Sequence, residues 1–131
     1  MLPRYSPRYS PRSLRILVAD DEPDSVTALK LLLNDEGHDV IGLSKGAEVL
    51  RTVEEFRPDV VVLDIAMPDL SGYEIAKEIR KRHGQITPLL IAISGRYKQA
   101  SDKMLGQIVG FDHYLLKPNE PNELLALLRF C

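Results

Sequence analysis

Five short strand-like runs, each followed by a stretch with helical spacing, leave this chain few folds to adopt. Val60-Val61-Val62-Leu63 has no polar member and is too short for a helix, which suits a strand covered on both faces, as in a parallel sheet. Arg15–Ala19, His38–Leu43, Pro88–Ile93 and His113–Leu116 complete the set. After the first run, Pro23 suits an opening turn, Val26, Leu29, Leu32 and Leu33 recur at helical spacing, and Gly37 is placed as a stop. A second helix is predicted from about Ala47 to Phe56 on Val49, Leu50 and Val53. A third opens with a capping box, Ser71 and Glu74, and buries Ile75, Ala76 and Ile79. A weaker helix from about Lys98 to Val109 and a last one from about Pro121 to Phe130, on Leu124, Leu125, Leu127 and Leu128, follow. Strict alternation implies an α/β fold: a five-stranded parallel sheet, doubly wound with helices on both faces. Periodicity leaves the strand order open.

A chain of 131 residues supports one domain with a real core. No apolar run approaches the roughly 18 residues that a membrane span needs, and no signal-peptide core is present, so no membrane contact is expected. A single cysteine, Cys131, excludes an internal disulfide and fits a reducing, cytoplasmic setting. Residues 1–13 repeat Pro-Arg-Tyr-Ser without hydrophobic periodicity and read as a disordered tail, leaving 14–131 as the folded unit. Three of the 17 basic residues lie in that tail, which leaves 14 against 19 acids in the body. An acidic body argues against a nucleic-acid partner. Arg80-Lys81-Arg82-His83-Gly84 reads as a basic helix end facing the negative pole of the dipole, His83 included.

Four strands end in polar groups of complementary chemistry: Asp20 and Asp21, Asp64, Ser94, and Lys117. In a parallel sheet all of them converge on one edge, the edge where ligands bind in open α/β folds. Three clustered carboxylates raise one another's pKa unless a cation neutralises them, and an all-oxygen donor set favours a hard ion such as Mg²⁺. Asp64 is then a carboxylate nucleophile that can form an aspartyl phosphate, with Mg²⁺, Lys117 and the Ser94 hydroxyl stabilising the phosphoryl oxygens. Asp24 and Asp69 read as helix-cap or loop carboxylates.

Four motifs carry a resemblance that covers nearly the whole chain: Ile16 to Pro23, Pro58 to Glu74, Ala92 to Gly95, and Gly110 to Pro118. From about Leu14 to Cys131 the chain resembles the receiver domain of two-component response regulators. The resemblance implies the flavodoxin-like strand order 2-1-3-4-5. It implies that Asp64 takes phosphate from the phosphohistidine of a histidine kinase or histidine phosphotransfer protein. It also implies that Asp21, Asp64 and the Ala66 backbone carbonyl bind Mg²⁺, with Asp20 acting through a metal-bound water. Ser94 and Tyr114 match the family's switch positions, and Lys117 its lysine, followed by a bond to Pro118 that is usually cis. Ala66 has no side-chain group to hold attacking water and Arg96 is large and charged; both match positions that tune phosphoryl lifetime.

The expected protein is a cytoplasmic single-domain receiver. It signals to a downstream protein through the face made by the helix over 98–109, the fifth strand and the last helix. It catalyses only its own phosphorylation and dephosphorylation. Two alternatives stand beside it: a receiver belonging to a hybrid histidine kinase or phosphorelay, which the Gly110–Pro118 run resembles, and a Mg²⁺-dependent phosphohydrolase with an aspartyl nucleophile.

Overall fold

The computed structural model describes residues 13–95, 109–117 and 120–130. Residues 1–12 of the tail, Arg96, most of the helix predicted over 98–109, the Lys117–Pro118 bond and Cys131 lie outside the described residues. The elements are β1 (Arg15–Ala19), α1 (Pro23–Asp35), β2 (Asp39–Leu43), a 3-10 turn (Gly46–Glu48), α2 (Val49–Phe56), β3 (Val60–Asp64), α3 (Gly72–His83), β4 (Leu89–Ser94), β5 (His113–Leu116) and α4 (Glu120–Leu128). All strand pairs are parallel and the order is β2-β1-β3-β4-β5, the flavodoxin-like arrangement.

Period-two alternation splits the strands between two cores. Leu17, Ala19, Val61, Leu63, Leu90 and Ala92 pack with α2 and α3 through Val49, Val53, Ile75, Ala76 and Ile79. Ile16, Val18, Val60, Val62, Ile91 and Ile93 face the other way, onto Leu29 and Leu33 of α1 and Leu124 and Leu128 of α4. Both faces are covered, so the strands show no polar alternation.

Helix ends follow local chemistry. Gly37 closes α1 at φ 96°, its N–H donating to Asn34 O at 2.9 Å while His38 N–H reaches Leu33 O at 3.1 Å. On α1 the buried stripe is Val26, Leu29 and Leu33; Leu32, a quarter-turn off it, is 40% exposed, contrary to its predicted core role. Ser71 caps α3 by accepting the Tyr73 N–H at 3.1 Å, one residue earlier than a capping box uses. The 3-10 turn replaces the first turn predicted for the second helix. The cis peptide among the described residues is Thr87–Pro88. No helix among the described residues is long and apolar enough to cross a membrane.

Arg80 departs most from its sequence reading. It lies on the same stripe as Ala76 and Ile79, is 5% exposed, and donates to Gly110 O (3.0 Å), Pro88 O (2.8 Å) and Gly84 O (3.3 Å). Its guanidinium also pairs with the Asp112 carboxylate at 2.8 Å, which in turn accepts the Leu90 N–H. The rest of the basic helix end behaves as surface charge, with Arg82 and His83 both pairing with Glu54 of α2.

Candidate functional site

The strand ends do converge. Asp20 immediately follows β1 and is 2% exposed; its Oδ1 accepts the Glu22 N–H at 3.1 Å and its Oδ2 lies 2.8 Å from Lys117 Nζ. Asp64 closes β3 at 4% exposure, held by the sheet through Ile65 N–H to Ile93 O at 3.0 Å. Its Oδ1 accepts the Ala66 N–H at 3.1 Å, and its Oδ2 lies 3.8 Å from Lys117 Nζ. Ser94 closes β4, buried, and its carbonyl accepts the Lys117 N–H at 3.0 Å, which sets the lysine beside the acids. Asp21 is exposed at the rim, with a carboxylate oxygen within 4.8 Å of those of Asp20 and Asp64. An open pocket of about 280 Å³ is lined by Asp21, Glu22, Asp64, Ala66, Ser94 and Lys117.

Burial, above all, pushes the Asp64 carboxyl up to about 7; the Ala66 N–H opposes this, the Asp20 charge adds to it, Lys117 opposes it and Asp21 adds to it. Burial lowers the Lys117 ammonium, but hydrogen bonding and charge from Asp20, with Asp64 and Glu22 behind it, outweigh that and leave it above the usual lysine range. Three carboxylates therefore face one ammonium. The donors are all oxygens, they sit within one ion's reach, and among the described residues Lys117 alone pairs with them, so the residues fit a hard divalent cation.

The family model for the response regulator receiver domain matches residues 16–129. The chain belongs to that family. The receiver is 37% identical over 115 residues to the alkaline phosphatase synthesis transcriptional regulatory protein PhoP of Bacillus subtilis, covering 88% of this chain and 47% of that one. It is 41% identical to the transcriptional regulatory protein KdpE of Mycobacterium tuberculosis, covering 87% and 49%. It spans about half the length of these curated relatives. Among solved structures, the Francisella response regulator 1452 receiver domain superposes with a TM-score of 0.81 at 29% identity over 88% of this chain and 93% of that one. The chemotaxis response regulator CheY4 of Vibrio cholerae gives 0.81 at 26%, over 90% and 98%. Aspartate phosphorylation, Mg²⁺ in an acidic pocket and interaction with histidine kinases are general features of two-component receivers; here the acidic pocket is the Asp20–Asp21–Asp64 cluster.

Tyr114 lies outside the pocket. It pairs in register with Ala92, two residues before Ser94, and its hydroxyl is 3.5 Å from that of Tyr73, whose ring meets Phe111 edge-on. Sequence reading passed over Tyr73, gave Glu22 no role beside Lys117, and took Arg80 for helix-end charge. For Arg80 a signal was available, since a cation on the apolar stripe of a helix calls for a buried partner.

Proposed function

We propose that the receiver is phosphorylated on Asp64 by a histidine kinase or histidine phosphotransfer protein. The supporting observation is the placement of Asp64: a buried strand-end carboxylate that opens on the pocket, held by the Ala66 N–H and facing Lys117. A carboxylate oxygen of Asp64 forms a bond to phosphorus as the donor's P–N bond breaks, and the electron pair returns to the imidazole, which takes up a proton. Asp20, Asp21, Asp64 and the Ala66 carbonyl would hold Mg²⁺, which, when bound, neutralises the acids and draws charge from the phosphoryl oxygens. Lys117 turns from Asp20 toward the new phosphoryl group, and the Ser94 hydroxyl donates to it. Engagement of Ser94 shifts the neighbouring strand β5, and Tyr114 carries the change to the face of β5 and α4, where a downstream protein reads it. The receiver acts on itself and turns over no separate substrate.

Intact-mass measurement after incubation with an acyl phosphate and Mg²⁺ tests this: one phosphoryl adduct on the wild type and none on Asp64→Asn. An equal adduct on the variant overturns the assignment, and multiple turnover of small phosphoesters would favour the phosphohydrolase. Relatives of about twice this length are named transcriptional or DNA-binding regulators, which favours, as a second reading, a receiver serving a longer DNA-binding protein. The acidic body keeps nucleic acid off the receiver itself.

A further inference from the structure

Seven residues, 65–71, join β3 to α3, restrained at both ends by backbone hydrogen bonds and between them by the core. Ile65 is held by β4, Ala66 by Asp64, and Met67 is buried; at the far end Gly72 N–H returns to Ile65 O at 3.0 Å. Asp69 is different. Its side chain is exposed, yet Oδ1 accepts the Gly46 N–H at 3.1 Å and Oδ2 accepts the Ala47 N–H at 3.0 Å, more than twenty residues back along the chain. The Ala47 N–H foremost, with Gly46 and smaller contributions from its own and the Leu70 N–H, holds this carboxyl below the usual range despite partial desolvation. Gly46 is buried, and a Cβ there would meet Leu70 O at 3.0 Å, so the loop is seated directly on that turn.

A helix start most often takes its acceptor from its own N-cap position. Here that position is Lys45, extended and without a side-chain cap, and the acceptor comes from the loop that carries Ala66. We propose that Asp69 is a positioning residue for the phosphorylation site, latching the β3–α3 loop to the Gly46–Ala47 turn so that Ala66 stays at the pocket. This rests on the reading of Asp64 and Mg²⁺ given above. Groups that orient metal ligands in this indirect way typically change metal affinity when removed.

The test compares wild type, Asp69→Ala and Asp69→Ala with Lys45→Asp added, the last supplying a local cap. Mg²⁺ affinity is measured by calorimetry without phosphodonor, alongside thermal stability and Mg²⁺-dependent acyl phosphate labelling. Asp69→Ala is expected to bind Mg²⁺ about tenfold more weakly, the low end for outer-shell partners. Its half-saturating Mg²⁺ for labelling rises by the same factor while the rate at saturation holds. Adding Lys45→Asp restores the melting temperature but not the affinity. Wild-type affinity in Asp69→Ala, or recovery of affinity together with stability in the double variant, overturns the latch and leaves Asp69 a cap. Absence of Mg²⁺-dependent labelling in the wild type instead overturns the site reading, and the latch with it.

Discussion

Replacing Asp64 by Asn should stabilise the metal-free receiver, and the gain should depend on pH. The folded carboxyl is raised from 3.8 to about 7, chiefly by burial. Between those values the folded chain keeps a proton that the unfolded chain has released, so stability falls as pH rises from about 4 to about 7 and the full penalty persists above. At about 1.4 kcal/mol per pH unit the penalty has a ceiling of about 4 kcal/mol. The pocket is open to water and Asp64 is coupled to Asp20 and Lys117, so we discount this to about 2 kcal/mol. For a domain of this size that is on the order of 8 °C in Tm. The assay is thermal unfolding with a chelator present, wild type against Asp64→Asn, from pH 4 to pH 8. The variant should match wild type near pH 4 and exceed it fully at pH 8, and Mg²⁺ should narrow the gap by stabilising wild type alone. A gain of equal size at both ends, or a variant less stable at pH 8, would refute the burial penalty on the Asp64 charge.

Two further predictions concern the opposite end of the sheet. Arg80→Met strips donors from Pro88 and Gly110 and leaves Asp112 without its cation, and should cost about 3 kcal/mol in urea unfolding; a loss under about 1 kcal/mol would mean that water replaces the guanidinium. His38 is buried and its Nδ1 accepts the Leu14 N–H at 3.1 Å; burial, partly opposed by Glu36, holds its pKa below the usual 6.5. The stability it contributes is therefore present above about pH 6.5 and lost as pH falls, so His38→Phe should lose less Tm than wild type between pH 7.5 and pH 5. Equal losses in the two proteins would exclude His38 as a source of the slope.

The parts of this molecule legible in the sequence are those that local pattern governs. Val60–Leu63 and Arg15–Ala19 read as buried strands because both sheet faces are covered, and Pro23, Gly37 and Ser71 mark helix ends through backbone chemistry. The site was legible for a topological reason: parallel strands deliver Asp20, Asp64, Ser94 and Lys117 to one edge whatever the strand order. That order needed the family resemblance, because periodicity carries no information about neighbours. What escaped depends on distant segments. Asp69 looks like any loop acid until Gly46 is folded against it, and Arg80 looks like helix-end charge until the segment before β5 closes over it. Leu32 misled because the stripe is narrower than the run of leucines.

These particulars give the sheet two unlike ends. At the amino ends of the strands, polar groups are paired with groups from other segments. Arg80 binds three carbonyls and Asp112, Arg15 donates to Phe56 O and lies over its ring, Asp59 accepts the Arg15 N–H, and His38 accepts that of Leu14. At the carboxyl ends, three acids cluster, two of them, Asp20 and Asp64, sharing the Lys117 ammonium, and the Asp64 carboxyl is pushed to about 7. Satisfied networks make a segment costly to move, whereas uncompensated like charge makes it responsive to any ion or phosphoryl group that changes the local balance. A ligand shifts a conformational equilibrium only by its differential affinity for the two states. The acidic end would supply that differential, because a cation or phosphoryl group there changes the charge the acids share. The cross-linked end gives β4 and β5 a fixed base, since Arg80 ties the segments that precede both strands. Displacement at Ser94 or Lys117 would then be taken up between the pocket and that base, a span of β5 that includes Tyr114, rather than dissipated by sliding of whole strands.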